Sequence, residues 1–519
     1  MHEEHPDLVF DWLAYYAEFD PGRLAAIDLA TSRRLSYGEL NERATRLATG
    51  LRERYGVDRG DRVGFLAQNS TDHFESMFAC WKLGAIWVPM NWRLSAYETE
   101  AIIEHCEPRV VIHDAEFAPA LALAHTPRVE RRPGEDGCGY EQLIAAHAPE
   151  VAMEDVHFDT VNTLLYTSGT TGRPKGVIYN HRMTNNIVVH AALHARVRAG
   201  TRTLTYAPLF HAAGLNATSM PQFHYGGAVV VMRSFDAATC LALLDDPDLG
   251  ITHSIGVPTT YQLMSQRPEF ATATFPTVEV AGVGAAPVPL HLLEVWARKG
   301  LLLAQSFGMT EVFSVSFCPP ERAREKIGSA GHALMHVRVQ IGNDAGLELP
   351  RGRVGEIQVR GPGVTPGYWQ DPEATAAAFT ANGWFRTGDA GRLEPDGTLY
   401  VVDRIKDMYI SGGENVYPAE IEDVIDRVEG VSLSAVIGMP DAKWGEVGLA
   451  LVVLRQGHEL TADRVLGHCR ERLAGYKVPR EVRFVDALPL SPQGKVLKKE
   501  LRRHYAAQRP TPTDGGGPR

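Results

Sequence analysis

The segment of residues 166–176 combines the kinds of side chain that bind phosphate. It reads YTSGTTGRPKG and places hydroxyl groups, glycines and one ammonium in a single turn. Glycines let the backbone approach a ligand closely, so main-chain N–H groups can point at it, and the polar side chains add further donors. We therefore predict a phosphate-binding loop made of Thr167, Ser168, Gly169, Thr170, Thr171, Gly172, Lys175 and Gly176.

The residues around this segment indicate which kind of phosphate-binding loop it forms. An apolar run at 161–166 precedes it and predicts a buried strand, so the loop would lie at the carboxyl end of a strand, where ligands bind in α/β sheets. The Walker phosphate loop needs Ser or Thr directly after its Gly-Lys pair, whereas the order here is Pro174-Lys175-Gly176. A flexible surface turn is the alternative interpretation of any glycine-rich segment.

Further segments, in a fixed order along the chain, extend this pattern. They are residues 206–211, 282–287, 306–311, 384–389, 403–407 and 488–495. Together with the loop they resemble the signatures of the adenylate-forming enzymes, which include acyl- and aryl-CoA synthetases, luciferases and the adenylation domains of peptide synthetases. The resemblance covers nearly the whole chain. It implies an α/β fold, with a large N-terminal adenylation domain of several subdomains and a small mobile α+β C-terminal domain.

The resemblance also implies an ATP site with Mg²⁺. Phe307 stands where tyrosine is usual and keeps the face that stacks on adenine, although it lacks the hydroxyl. Thr310 would meet the phosphates, and Glu311 with Thr170 would hold the metal, because a carboxylate beside a triphosphate needs a cation between them. For Glu311 taken alone, a solvated surface carboxylate is the alternative. The residues implied beside the adenine are Gly284, Ala285, Ala286, Pro287, Ser306, Phe307, Gly308 and Met309.

Two segments resemble the ribose contact and the hinge of the family. Asp389 would accept hydrogen bonds from the sugar hydroxyls, and Val401 and Arg404 would also lie beside the nucleotide. Lys406 falls on the hinge position, where many members carry aspartate. The charged run at 403–407 can also be interpreted as a solvated linker.

Lys495 matches the adenylation lysine of the family. A substrate carboxylate must approach an α-phosphate, and two unit charges about 4 Å apart repel by roughly 4 kcal/mol at an effective dielectric near 20. A cation between them removes that repulsion and stabilises the charge of the transition state. By charge alone, Lys495 could instead belong to a solvated basic helix face with Lys498, Lys499, Arg502 and Arg503.

The resemblance implies a second step in which a thiol attacks the acyl-adenylate. Rotation of the small domain at Lys406 would replace Lys495 by a glycine-rich face that includes Gly412, Gly413 and Glu414. Trp444, Tyr476 and Arg480 would contact coenzyme A, through aromatic faces for its adenine and a cation for its phosphate. No carrier-protein domain follows Lys495, so we expect free CoA as the acceptor.

The acid would occupy a pocket next to His211. Amino-acid-activating relatives typically carry aspartate after the Phe of the Phe210-His211 pair, so histidine there indicates a small-molecule carboxylic acid without an amine. The resemblance is strongest to feruloyl- and coumaroyl-type ligases and to medium-chain acyl-CoA synthetases, which predicts a hydroxycinnamate-like aryl acid or, alternatively, a medium- or long-chain fatty acid. The predicted pocket consists of His211, Ala212, Gly214, Leu215, Asn216, Gly282, Gly284, Gly308 and Phe313.

Other classes of protein are compatible with parts of this pattern. A luciferase-like oxygenase would adenylate an acid and then oxidise it, and an ATPase or kinase would release ADP instead of AMP. A non-catalytic nucleotide-binding protein is a third alternative. We favour the ligase because Lys175, Glu311, Asp389 and Lys495 are all present.

Composition argues against nucleic-acid binding and a membrane span, and it indicates a reducing compartment. The formal net charge of −11 gives no basis for nucleic-acid binding. No apolar run reaches the length of a membrane span, and the six cysteines are scattered without a Cys-x-x-Cys pair, which suits a reducing compartment. We expect a cytoplasmic protein without an integral membrane segment, and a homodimer is possible by resemblance.

The elements that must position these residues follow from length and periodicity. At 519 residues the chain exceeds one core, so we predict an adenylation domain at 1–405, a mobile domain at 406–506 and a disordered tail at 507–519. A helix should follow caps at 70–72 and end at Gly84, and Pro418 should open another that carries Val428. The predicted strands are 62–66, 86–89, 109–112, 227–232, 278–281, 356–359, 398–402, 433–437, 449–454 and 482–485.

Overall fold

The computed structural model describes residues 7–168, 174–286, 288–323, 325–326, 328–343, 345–441, 443–491 and 495–506. Several predicted positions lie outside these ranges: Gly169, Thr170, Thr171, Gly172, Pro287 and the tail 507–519. In the described part no helix is long and apolar enough to cross a membrane.

The described chain alternates strands and helices. The strands are β1 Leu24–Asp28, β2 Arg33–Ser36, β3 Arg62–Leu66, β4 Ile86–Pro89, β5 Val110–Asp114, β6 Arg128–Arg131, β7 Val161–Ser168, β8 Pro174–Asn180, β9 Arg202–Thr205, β10 Ala228–Val231, β11 His253–Gly256, β12 Val280–Gly284, β13 Leu303–Phe307, β14 Ser316–Phe317, β15 His332–Ala333, β16 Arg338–Gly342, β17 Gly355–Arg360, β18 Phe385–Leu393, β19 Leu399–Arg404, β20 Tyr409–Ser411, β21 Glu414–Val416, β22 Val431–Asp441, β23 Gly445–Leu454 and β24 Glu481–Phe484. The α-helices are α1 Trp12–Phe19, α2 Tyr37–Tyr55, α3 Asp72–Lys82, α4 Ala96–Cys106, α5 Gly139–Ala145, α6 His181–Ala195, α7 Met220–Tyr225, α8 Ala237–Asp245, α9 Pro258–Ser265, α10 Leu290–Arg298, α11 Pro320–Ala323, α12 Pro372–Ala377, α13 Pro418–Ile425, α14 Ala462–Arg470 and α15 Lys498–Ala506.

Two mostly parallel sheets form the large N-terminal domain. One has the strand order β6-β5-β3-β4-β7-β8, with only β8 antiparallel to its neighbour. The other has the order β15-β14-β13-β12-β11-β9-β10-β1-β2, parallel from β13 to β1 and antiparallel at both edges. Helices α2, α3 and α6 contribute to one buried apolar cluster that also contains residues of both sheets. The predicted α/β class is confirmed.

The parallel arrangement brings several chain segments to one edge of the second sheet. Strands β9, β11, β12 and β13 are parallel neighbours, so their carboxyl ends meet at the same edge. The segments that leave these ends are 206–211, 257, 285–286 and 308–311, and they include the predicted contacts His211, Ala285, Ala286, Gly308 and Met309. Parallel pairing therefore brings together segments that are distant in sequence, since His253 pairs with Thr203 on one side and with Val280 on the other.

A small antiparallel sheet and a separate C-terminal domain complete the fold. The sheet β16-β17-β18-β19 packs on the end of β13 through a cluster that includes Phe307, Val312 and Phe385. The C-terminal domain has the strand order β21-β20-β23-β22, with β24 parallel to β23. Two apolar clusters involve this sheet, one with α13 and α14 and the other with α15.

Most predicted elements are present, with differences at their ends. Strands β3 and β4 have the predicted bounds, and Pro418 is the first residue of α13. The helix ends at Ile425, however, and Val428 packs in the core beyond it. Thr71 does not cap α3 with its side chain, because its backbone is already helical. The predicted strand at 278–281 lies two residues later, at Val280–Gly284.

The prediction that residues 166–176 form a single turn was wrong. Residues 174–180 form β8, which pairs antiparallel with β7, and Lys175 lies opposite Thr167 in this hairpin. Glycine and proline at 174–176 indicated a turn, but the ladder to β7 overrides that local preference. The backbone of Lys175 is therefore fixed by the β7–β8 ladder, and its side chain extends from that strand.

Candidate active site

Glycines allow the backbone to close tightly at the edge where β12 and β13 end. A Cβ on Gly284 would lie 2.6 Å from the Ser306 carbonyl oxygen, and one on Gly308 would lie 1.7 Å from that of Phe313. The chain then turns sharply, with positive φ at Ala285 (66°) and Phe313 (48°). Non-glycine residues seldom adopt such φ values, and they cluster at ligand-binding sites.

A π-helix follows His211. It spans Ala213–Ser219, and the Leu215 N–H donates to the His211 carbonyl at 3.0 Å. A Cβ on Gly214 would lie 2.4 Å from the Pro208 carbonyl, so only glycine permits this packing. Single-turn π-helices are rare and frequently occur at functional sites. Ala212 and Leu215, predicted in the acid pocket, pack in the core between the sheets.

Glu311 is a buried carboxylate held by residues that the sequence motifs did not include. The Tyr368 hydroxyl donates to its Oε1 at 3.0 Å, and the Thr365 N–H donates to its carbonyl at 2.7 Å. Burial raises the pKa of the Glu311 carboxyl, while Arg404 and Lys175 act in the opposite direction. The Lys175 ammonium lies 4.9 Å from the centre of the Tyr368 ring. Tyr368 thus links the lysine of the predicted loop to Glu311.

Asp389 and Arg404 face each other on neighbouring strands. They are register partners on β18 and β19, and Arg404 Nε lies 3.6 Å from Asp389 Oδ1. Burial raises the pKa of Asp389 to about 6, against the lowering effect of Arg404 and Lys495. A carboxylate in this position can accept hydrogen bonds from a ligand. Val401, on the same strand as Arg404, is half-buried against the cluster around Phe307.

Lys495 of the C-terminal domain reaches this cleft. The pKa of its amine is lowered to about 8, mainly by burial and also by the charge of Arg404, against the raising effects of Asp389 and Glu311. The pKa of His211 falls to about 3, mainly through burial and also through the Lys495 charge. His211 is therefore neutral at pH 7. Asp389, Glu311 and Lys495 lie near enough to one another for the two carboxylates to raise the pKa of the lysine.

The chain around Lys495 has a defined backbone. Its N–H donates to Ser491 Oγ at 3.1 Å, and its carbonyl accepts from the Ser491 N–H at 2.7 Å. The basic residues after it do not form a uniformly solvated face. Lys498 pairs with Glu422 at 2.8 Å, and Arg502 pairs with Asp407 at 2.8 Å and also donates to the Lys406 carbonyl at 3.3 Å.

The predicted thiol-site residues all lie on the C-terminal domain. Gly412 and Gly413 form the exposed tip of the β20–β21 hairpin, with positive φ of 62° and 86°, and Glu414 follows. The Gly412 N–H donates to the Trp444 carbonyl at 2.8 Å, so the Trp444 backbone joins this tip. Tyr476 and Arg480 are exposed on the segment between α14 and β24. Lys443, which the sequence analysis did not select, lies 5.0 Å from the Trp444 ring.

The remaining predicted residues divide into buried and half-buried positions. Phe307 is largely buried in the apolar cluster that joins β13 to the small antiparallel sheet. The Thr310 carbonyl accepts a hydrogen bond from the Tyr179 hydroxyl. Ser306, Met309 and Ala286 are half-buried, and Gly282 and Asn216 are buried. No group of three or more His, Cys, Asp or Glu in the described ranges could hold a metal ion by itself.

Comparison with known proteins agrees with this arrangement. Residues 13–369 match the family described as AMP-binding enzyme, and residues 420–495 match the AMP-binding enzyme C-terminal domain. A feruloyl-CoA synthase from Amycolatopsis sp is 40% identical over 91% of this chain and 94% of its own length. The long-chain-fatty-acid–CoA ligase FadD13 from Mycobacterium tuberculosis is 39% identical over 95% of this chain and 98% of its own. The structure of ATP-bound MatB from Rhodopseudomonas palustris is 32% identical with a TM-score of 0.89, covering 96% of this chain and 99% of that chain.

The AMP-binding match over most of the chain, with an α/β domain followed by a smaller C-terminal domain, makes this protein an adenylate-forming enzyme. The chain belongs to the AMP-binding enzyme family. Within the adenylate-forming superfamily it is an acyl- or aryl-CoA synthetase, so the predicted superfamily and acid–CoA ligase activity are confirmed.

The pKa of Lys495 predicts the pH dependence of adenylation. Because its amine has a pKa of about 8, it is charged below that pH and becomes neutral above it. The kcat/KM for acid-dependent pyrophosphate release should therefore fall about tenfold per pH unit above pH 8. Lys495→Arg should be slower but should lose this alkaline limb, because arginine stays charged. An unchanged limb in Lys495→Arg would assign the titration to another group.

Proposed function

We propose that this enzyme joins an aryl carboxylic acid to coenzyme A in two steps, through an acyl-adenylate, with release of pyrophosphate and AMP. The observation that carries the proposal is the position of Lys495: Asp389 and Glu311 lie near enough to raise the pKa of its amine, and its charge lowers the pKa of His211. A buried amine with two carboxylates nearby remains charged at neutral pH and supplies positive charge where two anions must meet.

The residues of the cleft support separate roles in the first step. Lys495 would lie between the substrate carboxylate and the α-phosphate, stabilise the charge that develops there, and remain protonated throughout. Asp389 would accept hydrogen bonds from the ribose hydroxyls, and Arg404, which pairs with it, would orient that carboxylate. Neutral His211 would border the acid without adding a charge that competes for it.

Glu311 and Lys175 fit an ATP·Mg²⁺ complex. Mg²⁺ usually takes one or two carboxylates together with phosphate oxygens, so a single buried Glu311 suits it better than a closed protein site would. The metal would neutralise phosphate charge when bound. Lys175, placed by β8, can reach the phosphates, and Tyr368 holds the Glu311 carboxylate in a fixed orientation.

The second step would use the other face of the C-terminal domain. We propose Lys406 as the hinge between units at 1–405 and 406–506. The Gly412-Gly413 tip is exposed while Lys495 faces the cleft, which is the arrangement expected before rotation. Trp444, Tyr476 and Arg480 are exposed on the same domain and would bind free CoA. The six buried, unpaired cysteines suit a reducing cytoplasm.

The residues of the predicted acid pocket support an aromatic acid as substrate. Gly282 and Gly284 share one face of β12, and a Cβ on Gly282 would lie 3.1 Å from Ile255 Cγ1. Ile255 and Ser306 already lie against these two glycines, so the aryl preference is supported by half-buried Phe313, which would stack on an aromatic ring, and by the similarity to the feruloyl-CoA synthase. A long-chain fatty acid is the second candidate, supported by the similarity to FadD13.

A panel of acids tests the substrate class. Hydroxycinnamates, benzoates and fatty acids of several chain lengths would be incubated with ATP, Mg²⁺ and CoA, with pyrophosphate and thioester measured separately. We expect hydroxycinnamates to give the highest kcat/KM, by at least tenfold over fatty acids. A preference for long fatty acids would contradict the aryl assignment. Release of ADP instead of AMP would contradict the two-step reaction.

Replacing Lys495 should separate the two steps. Lys495→Ala should lower adenylation by roughly 10²-fold or more, since a cation at the developing charge is lost. The same variant should still convert synthetic acyl-adenylate and CoA to thioester. Lys499→Ala, which removes a charge from the neighbouring helix, serves as the control with normal rates. Equal losses in both steps would refute the domain rotation.

Replacing Glu311 should change the metal requirement. Glu311→Gln keeps a partner for the Tyr368 hydroxyl but removes the negative charge, so half-maximal adenylation should need roughly tenfold more Mg²⁺. Tyr368→Phe, which keeps the charge, should shift this value much less. The measurement is the rate of pyrophosphate release against Mg²⁺ concentration at saturating acid. An unchanged Mg²⁺ requirement in Glu311→Gln would remove Glu311 from the metal site.

A further inference from the structure

Helix α10 of the large domain begins without a capping side chain of its own. Its N-cap residue is Pro289, which has no side-chain acceptor, so the first N–H groups of the helix need partners from elsewhere. The Leu290 N–H donates to Asp423 Oδ1 at 3.0 Å. Asp423 belongs to α13 of the C-terminal domain. A carboxylate of one domain therefore caps a helix of the other, and it also meets the positive end of the helix dipole.

A second pair of contacts joins the same two surfaces. On the neighbouring helix α9, the Gln262 side-chain amide donates to the Ser432 carbonyl at 3.0 Å, and Gln266 Nε2 lies 3.3 Å from Ser432 Oγ. Ser432 is near the start of β22, which packs against α13. The Asp423 cap is thus one part of a continuous polar contact between the ends of two helices and one face of the small domain.

From this contact we infer that Asp423 is a positioning residue for adenylation. Its cap on α10 holds the C-terminal domain in the orientation that delivers Lys495 to the cleft. Rotation for thioester formation would turn α13 away from α10, so the cap stabilises one orientation only. The inference rests on the proposed two-step function and adds to it the group that selects the adenylating state.

The other oxygen of Asp423 must be distinguished from the cap. Oδ2 accepts from Arg427, which lies two residues beyond the end of α13, at 3.0 Å, so this pair is internal to the small domain. Arg427→Ala therefore removes the intradomain partner and leaves the cap in place. Asp463 offers a second control, because it is an exposed carboxylate in the first turn of α14 on the same domain.

The test compares the two half-reactions in single-turnover experiments. Step one is measured as pyrophosphate release from acid and ATP, and step two as thioester formation from synthetic acyl-adenylate and CoA. Asp423→Ala should slow step one roughly fivefold, the usual effect of losing one cap, while step two stays within twofold of the wild type. Asp423→Asn retains an oxygen acceptor and should recover most of step one. Gln262→Ala should shift the same balance in the same direction by a smaller factor.

The controls decide between this role and general stabilisation. Arg427→Ala and Asp463→Ala should leave both steps within twofold of the wild type. Equal slowing of both steps in Asp423→Ala would overturn the inference, and so would an Arg427→Ala variant that reproduces the effect. If the wild type itself released no pyrophosphate with any acid, the proposed function would fail instead, so the two failures are distinguishable.

Discussion

The proposed reaction depends on bringing one positive charge, that of Lys495, out of water to a place where two anions must meet. Lys495 is buried enough for its pKa to fall to about 8, yet Asp389 and Glu311 lie close enough to favour its charged form. Such a charge is costly to bury alone, and the neighbouring carboxylates offset part of that cost. The same burial keeps His211 neutral, because its pKa is lowered to about 3. At His211, Lys495 therefore meets a neutral imidazole instead of a second cation.

Lys495 belongs to a separate, smaller domain, and this explains why the contacts between the two domains differ from those within the large domain. The large domain supplies rigid parts: glycine-packed strand ends, the π-helix after His211, and the Tyr368–Glu311 hydrogen bond. In the described part of the chain, the small domain meets it through individual hydrogen bonds, such as those of Asp423 and Gln262, and its apolar clusters contain residues of the small domain alone. Polar contacts of this kind can be exchanged for water at modest net cost, whereas a shared core could not be opened during each turnover.

The C-terminal helix α15 connects Lys495 to the proposed hinge. Arg502 donates to the Lys406 carbonyl and pairs with Asp407, and Lys498 pairs with Glu422 of α13. These pairs tie the helix that follows Lys495 to both the hinge and the helix that caps α10. In the proposed rotation at Lys406, these ion pairs would make Lys495 and the domain contacts move as one unit.

The sequence by itself determined the parts of this enzyme that depend on local chemistry. Strands β3 and β4, the proline start of α13 and the order of the motifs could be predicted, because apolar periodicity and special residues act within a few positions. It did not reveal that Lys175 lies on a strand, that Tyr368 holds Glu311, or that Asp423 caps α10. The Tyr368–Glu311 and Asp423–Leu290 contacts join partners far apart in the chain. Lys175 instead pairs with nearby Thr167, through a strand ladder that overrides the local turn preference. Only the tertiary structure decided which polar residues share the cleft, since hydrogen bonds and pKa shifts depend on distance and burial in space.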